Sequence, residues 1–461
     1  MSLLINNKTC ESIHFTGIFG SGMSALAQYL CWQGIKVSGS DRMHTSEDTL
    51  VIKNGLLKTG CSLFSQDGSG VQNNTDILCV STAIEESNPD IIAARARGIP
   101  IVHRSDVLAA IIKTKKTIAV AGTSGKSTVT AMIFEFLSSC GKSPSIISGA
   151  ALKRLEAEGL IGNAYRGNSD LLVIEADESD GTLVKYFPYL SVVLNISKDH
   201  KEIPEVLSLF EQLSEHSSYT IVNADDSGLK TIHADKTFGL TANANWKPDR
   251  IETRSFDSLL VYGDTTYQLP LPGVHNISNC AAALCICEHL GCSASVLKDA
   301  VKSYQGVSRR FSIIKTLRNI QIIDDFAHNP EKIKAAISAA RGLSSNLHVI
   351  YQPHGFGPTR FLKNEYVSTF RSCLRAGDTL YLLPIYYAGG STQKDISSKD
   401  IIDLIGESEF KKYAVADREE ILNNIKNTVS DGESILLMGA RDPSLSAFAL
   451  KIADLFGRLT K

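Results

Sequence analysis

No window of this sequence offers 18 uninterrupted apolar residues, so a membrane-spanning helix is not expected. A basic excess is missing too: 47 Lys and Arg stand against 49 Asp and Glu, for a net charge of −2. Neither a nucleic-acid stripe nor a polybasic membrane anchor is therefore expected. Cysteine is sparse, with ten in 461 residues, and no pair has metal-ligand spacing. Cys285 and Cys287, one residue apart on an apolar helical stretch, read as buried thiols of a reducing compartment. The opening MSLLINNKTCESIHF lacks a basic segment followed by an apolar run. The expectation is a cytoplasmic protein without nucleic-acid partner or membrane insertion, as monomer or homodimer.

What is present is a succession of strand-then-helix units, without low-complexity segments or short repeats. The length is that of about three domains, and the fold class is α/β throughout. In SIHFTGIFGSGMSALAQYLCWQGIKVSGSD, a strand, Gly17, Gly20 and Gly22, an amphipathic helix and a second strand ending at Asp41 follow in order. This resembles a dinucleotide fold, although G-x-x-G-x-G is not the G-x-G-x-x-G fingerprint.

The stretch VAGTSGKST, residues 120–128, fails the usual phosphate-loop spacing because Val120 stands where a glycine belongs. Its flanks nevertheless fit such a loop. TIAVAG reads as a buried strand, and Val129, Met132, Ile133, Phe136 and Leu137 then recur with helical period up to a stop at Ser138, Ser139 and Gly141. The N–H groups of residues 123–127 fall at a helix start, where an anion is favoured. Lys126 can reach terminal phosphates and Ser127 can hold magnesium.

Further strands end in polar clusters: LLVIEADESD, SVVLNISKDH and TIVNADDS. Ligands of open α/β sheets sit at the carboxyl ends of strands, so Glu175, Asp177, Glu178 and His200 are expected to gather near Lys126 and Ser127. Such donors suit Mg²⁺ bridging ATP phosphates. Beyond GVSRRF the plan repeats, with Pro330 in the first turn of a helix. Arg310, Asp325, His328, His354 and Arg360 are the candidates to face a ligand from this region.

Taken together, HFTGIFGSGMSALA, STAIEESNPDIIAARARGIPIVHRSDVLA, VAGTSGKST, EADESD, PGVHNISN, GVSRRF, DDFAHNP and YQPH make the chain resemble the Mur ligase family, from about residue 12 to the C-terminus. Within that family it is similar to the branch that acts on UDP-N-acetylmuramate. The shortened loop is then the family's own form of a nucleotide loop.

The resemblance implies a Rossmann-like UDP-sugar-binding domain over 1–112, a central P-loop-type ATPase domain over 113–307, and a Rossmann-like C-terminal domain over 308–461 that closes over ATP and the incoming amine. It implies ATP-dependent, ADP-forming amide synthesis for the cell wall, through an acyl phosphate on the lactyl carboxylate of UDP-N-acetylmuramate. By motif, Gly122, Thr123, Ser124, Gly125, Lys126, Ser127 and Thr128 would bind ATP, with Asn276, Asn279, Arg310 and Asp325. Ser127, Glu175 and His200 would hold Mg²⁺. Gly20, Ser21, Gly22, Met23 and Ser24 would receive the UDP-sugar, with Ser40, Asp41, Ser81 and Thr82. Lys126, Glu175, His200 and His328 would be catalytic, and His328, His354 and Arg360 would face the amino substrate.

Departures fall where the amine should bind. The alanine-adding pattern D-D-Y-G-H-H-P and Q-P-H-R-Y-T-R-T is here DDFAHNP and QPHGFGPT, with Gly355 and Pro358 in place of two arginines. An arginine fork is the natural carboxylate clamp, and Arg360 is the candidate to replace it. L-Alanine is the expected amine. The alternative is L-alanyl-γ-D-glutamyl-meso-diaminopimelate of cell-wall recycling, for which Gly355 to Gly357 would leave room. Ser124 also stands where both relatives carry histidine, a change without a physical account. A nicotinamide-dependent oxidoreductase would explain the first glycine loop but not GTSGKST with EADESD, and a non-catalytic UDP-sugar sensor would not need Lys126, Glu175 and His200.

Overall fold

Residues 2–198, 201–387, 393–442 and 444–459 are described by a computed structural model. The chain forms two compact units, one of Met1–Ile251, Leu259–Pro270 and Ile277–Val307, the other of Glu252–Ser258, Leu271–Asn276 and Ser308–Lys461.

The first unit contains two large sheets. In one, β1 (Ser12–Thr16), β2 (Lys36–Asp41), β3 (Ser62–Ser65), β4 (Ile77–Val80) and β5 (Ile101–His103) are all parallel, in the order 3-2-1-4-5. Helix α1 (Ser21–Trp32) follows β1, and α2 (Arg104–Ile112) follows β5. The strand order reverses between β1 and β4, which is where this architecture opens a crevice at the strands' carboxyl ends. Gly17–Gly22 and the Ser81–Thr82 loop both lie at those ends.

Polar side chains of β1 and β2 are tied to one another and to Asp90. His14 Nδ1 is 2.8 Å from Ser38 Oγ, while Thr16 Oγ1, Ser40 Oγ and the Gly68 N–H all donate to the buried carboxylate of Asp90.

The second sheet holds β6 (Lys116–Ala121), β7 (Ser145–Ile147), β8 (Ala164–Tyr165), β9 (Leu171–Glu175), β10 (Leu190–Val193), β11 (Thr220–Asn223) and β12 (Lys236–Phe238). Their order is 8-7-9-6-10-11-12, and β8 alone runs antiparallel to its neighbour. Helix α3 (Lys126–Ser139) leaves β6, the strand between β9 and β10. Apolar residues from both sheets and their helices, such as Phe15, Leu26, Ala119, Leu172 and Phe210, share one core. A polar pin joins them: the Asn163 amide donates to Ser21 O and Ser24 Oγ at 2.8 and 2.9 Å and accepts from Gln28 Nε2 at 2.8 Å.

In the second unit, β13 (Ser312–Lys315), β14 (Gln321–Asp325), β15 (Leu347–Gln352), β16 (Thr379–Leu382), β17 (Lys411–Ala414) and β18 (Ser434–Gly439) form one sheet in the order 13-14-18-15-16-17, with only β13 antiparallel. Two apolar clusters cover its faces. Helix α5 (Pro330–Arg341) starts with proline in its first turn, capped by the Asn329 side chain on the Lys332 N–H. All ten cysteines are free thiols, and among the described residues no helix is long and apolar enough to cross a membrane.

One core residue is out of keeping with its surroundings. Glu135 of α3 is 4% exposed, its Oε2 accepts only a long 3.5 Å hydrogen bond from the Gln305 N–H, and its Oε1 has no partner. Burial pushes this carboxyl up to about 7. A raised folded-state pKa stabilises below the unfolded value and loses that contribution as pH rises through the folded one. Glu135→Gln should therefore gain over the wild type as pH climbs from about 5 to 8, by about 3 kcal/mol at most, from 1.36 kcal/mol per unit. Urea midpoints across this range check it; parallel profiles would refute it.

Candidate active site

The site begins with the turn between β6 and α3. Gly122 has φ +139° and Gly125 has φ +86°, backbone conformations that L side chains rarely adopt. A Cβ on Gly125 would sit 2.5 Å from Asn279 Oδ1, and one on Gly122 would sit 3.0 Å from Leu194 Cβ. Both glycines are thus required by space as well as by φ.

The turn is clamped by Asn195, just beyond β10. Its Oδ1 accepts from the Ser124 N–H at 2.8 Å and Thr123 Oγ1 at 3.0 Å, its Nδ2 donates to Ser124 O at 3.0 Å, and its backbone carbonyl accepts the Thr123 N–H at 3.2 Å. Ser127 and Thr128 open α3 and are buried. Ser127 Oγ donates to Glu175 Oε2 at 3.0 Å, while Glu175 Oε1 accepts from Ser148 Oγ at 2.6 Å and the Gly149 N–H at 2.8 Å. Glu175 is therefore held as an oriented carboxylate beside a hydroxyl.

Lys126 Nζ donates to Glu178 Oε2 at 2.6 Å and Gly122 O at 2.8 Å and lies 3.6 Å from Asp177 Oδ1. Burial alone would discharge this amine, but Glu178 and Asp177 outweigh it and hold its pKa above the usual lysine value. Burial also opposes charge on Asp177, yet Lys126, Ser179 and Arg104 keep that carboxyl below its ordinary range. Glu178, 4% exposed, is raised by its own burial against the pull of Lys126. Lys126 is a fixed cation between two acids.

The expected gathering of Gly122–Thr128, Glu175, Asp177 and Glu178 is thus observed, with Asn279 beside Gly125. Asn276 lies one turn before Asn279 on α4 (Val274–His289) and donates to Pro272 O at 2.8 Å. His200 lies outside the described residues.

At the first glycine loop, α1 starts after Gly20 with neither a side-chain cap nor an acidic residue in its first turn. Gly22, Met23 and Ser24 belong to that turn, which Ser21 opens. Asp41 accepts the Phe19 and Met43 N–H groups at 3.0 and 2.9 Å, and Ser40 donates to Asp90. These two residues shape the loop from behind. Ser81 and Thr82 begin the turn after β4, whose Ile84 packs over Gly17.

In the second unit, Asp325 accepts the Phe311 and Ala327 N–H groups at 2.7 Å each; burial raises its carboxyl although Arg310 opposes this. The Arg310 guanidinium lies 5.0 Å from the Phe326 ring centroid. The rings of His328 and His354 are 5.3 Å apart, and burial holds His328 far below the usual histidine value. A neutral His328 donates from Nδ1 to Phe326 O at 2.9 Å. Arg360 points elsewhere, to Asp395 and Gln393 O.

Sequence reasoning missed Asn195, Ser148 and Gly149. Asn195 was within reach, because it follows the apolar run SVVL as Glu175 follows LLVI. The others hold Glu175 from a loop that carries no motif.

In comparisons with known proteins, residues 12–116 match the Mur ligase family, catalytic domain, residues 120–287 the Mur ligase middle domain, and residues 309–441 the Mur ligase, glutamate ligase domain. The chain is 33% identical over 463 residues to the UDP-N-acetylmuramate–L-alanine ligase of Acetivibrio thermocellus, with 96% of each covered. It is 34% identical to that of Dictyoglomus turgidum, over 93% of this chain and 94% of the relative. Among solved structures, UDP-N-acetylmuramate-alanine ligase MurC from Thermotoga maritima superposes with TM-score 0.78 at 26% identity, covering 96% of this chain and 98% of that one. A murein peptide ligase from Psychrobacter arcticus shares the fold with TM-score 0.70 at 19% identity, covering 98% of this chain and 100% of that one.

Lys126→Met should keep the fold but cost ATP-dependent phosphate release about 100-fold or more, the usual scale for deleting one preorganised charge. Near-wild-type release in a steady-state assay would remove Lys126 from the phosphate site.

Proposed function

The chain belongs to the Mur ligase family, and on that premise we propose that it joins L-alanine to the lactyl carboxylate of UDP-N-acetylmuramate at the expense of ATP. It is an ATP-dependent ligase. The observation that carries the choice of substrates is near-full-length identity of 31% to 34% with relatives named UDP-N-acetylmuramate–L-alanine ligase. Family membership leaves no place for the oxidoreductase reading.

In the reaction, a carboxylate oxygen bonds to the terminal phosphorus of ATP as the bond to ADP breaks. The alanine nitrogen then bonds to the acyl carbon, phosphate departs, and the amine loses a proton. Lys126, kept protonated by Glu178 and Asp177, balances charge on the transferring group. The N–H groups that open α3 bind phosphate oxygens. Ser127 and Glu175, two hard oxygen donors 3.0 Å apart, fit Mg²⁺, which favours one or two carboxylates plus phosphate oxygens. His200 completes the proposed set. When bound, that ion would neutralise phosphate charge.

We assign the UDP-sugar to Gly20–Ser24, with Ser81 and Thr82 beside it and Ser40 and Asp41 behind. The division into 1–112, 113–307 and 308–461 follows this assignment of ligands. Asn276, Asn279, Arg310 and Asp325 belong to ATP. His328 and His354 orient the amine, with His328 as the proposed catalytic residue beside it.

A second reading keeps one observation in its favour. A Cβ on Gly357 would meet nothing within 4 Å, so the QPHGFGPT loop has open space there for an amine larger than alanine. Gly355 does not add to it, since its φ of +69° already demands glycine. Phosphate release with ATP, Mg²⁺ and UDP-N-acetylmuramate, across L-alanine, other amino acids and the tripeptide, separates the readings. Turnover of the tripeptide with none of L-alanine would overturn the proposal.

Arg360 gives the finer test. Its ion pair with Asp395 is half-exposed and contributes little to stability. If it clamps the alanine carboxylate, Arg360→Ala should raise the KM for alanine about 10-fold or more while the KM values for ATP and UDP-N-acetylmuramate stay within about twofold. An unchanged alanine KM would free Arg360 from the amine site.

A further inference from the structure

The motif ending VHRSDVLA contains Arg104, the first residue of α2, but no role above is assigned to it. Its guanidinium lies directly over the first glycine loop, with Nη1 3.1 Å from where a Cβ on Gly22 would stand. From there Nη2 donates to Asp180 Oδ2 at 2.6 Å. Asp180 is 7% exposed, and its second oxygen is fixed by the Thr182 N–H and Oγ1 at 3.1 and 2.6 Å. It closes the same acidic turn whose Asp177 and Glu178 flank Lys126.

A second tie runs in parallel. Lys185, at the end of this segment, donates to Asp106 Oδ1 at 2.6 Å and Ser105 Oγ at 3.1 Å, and Asp106 caps the start of α2 on the His103 N–H. Arg104 therefore projects from an anchored helix end, and its partner from an anchored turn. From the first glycine loop to the phosphate loop, a cation stands at each end with three acids between them: Arg104, then Asp180, Asp177 and Glu178, then Lys126.

We propose that Arg104 is a positioning residue, which acts through Asp180 to hold the Gly20–Ser24 loop in register with the acidic turn around Lys126. This rests on the assignment of the UDP-sugar to that loop. The lactyl carboxylate and the terminal phosphate must meet within bonding reach, so the register of the two loops sets the rate of phosphoryl transfer more than the affinity for either ligand.

The test uses the full chain with ATP, Mg²⁺, UDP-N-acetylmuramate and L-alanine, and the variants Arg104→Met, Asp180→Asn and their combination. Each single change should lower kcat by about 100-fold, the scale of a 1 Å misplacement. The double variant should be no worse than either single one, since both break one link. Calorimetric Kd values for UDP-N-acetylmuramate and for a non-hydrolysable ATP analogue should stay within about threefold of wild type, the split expected when only transition-state alignment is lost. Asp180→Asn with wild-type kcat would overturn the proposal, as would a large loss of UDP-N-acetylmuramate affinity confined to Arg104→Met, which would make Arg104 a direct ligand. Should Arg104→Met fail to fold, Asp180→Asn decides alone. A wild-type enzyme inactive on UDP-N-acetylmuramate would instead defeat the proposed function, an outcome separate from these.

Discussion

The parallel pairing of β6 between β9 and β10 is the constraint from which the nucleotide site follows. Val120 stands opposite Glu175 on one side, and Ala121 opposite Val193 on the other. Three chain segments far apart in sequence must therefore release their next residues at one edge of the sheet. The first supplies the glycine turn, the second the carboxylate beside Ser127, and the third the amide that clamps the turn. Glycine at 122 and 125 is the local cost of bringing the turn so close to β10 and α4.

Charge is organised around the same edge. A lone lysine at this depth is pushed towards losing its proton, and the two acids without it would repel one another. Lys126 with Asp177 and Glu178 resolves both problems at once, so the cation is in place before any phosphate arrives and little need be reorganised when one does. The Arg104–Asp180 pair carries this organisation of charge to the first glycine loop.

Much of this was legible because strand ends are marked by composition. An apolar run breaking into Glu-Ala-Asp-Glu or Gly-Thr-Ser-Gly-Lys locates the site before any fold is known, and the helical period of Val129 to Leu137 gave α3 its direction. The clamps were not legible. Asn195 holds a residue 71 positions away, and Arg104 pairs with one 76 positions away; no local pattern encodes such distances. The orientation of Arg360 was hidden for a related reason, since its pairing with Asp395 depends on a loop whose path the sequence does not dictate. Ser40 and Asp41 were found as positions, but not their partners, which are Asp90 for Ser40 and the Phe19 and Met43 N–H groups for Asp41.

Asn195 engages both backbone polar groups of one residue, accepting from the N–H of Ser124 and donating to its carbonyl. A side-chain amide used this way imitates a strand residue, adding one more rung to the ladder beyond the point where β10 has ended. Aspartate, the same in shape, could complete only the accepting half and would set a negative charge against the loop that must welcome phosphate. The sheet thus reaches into its own ligand loop through a single side chain whose neutrality matters as much as its length.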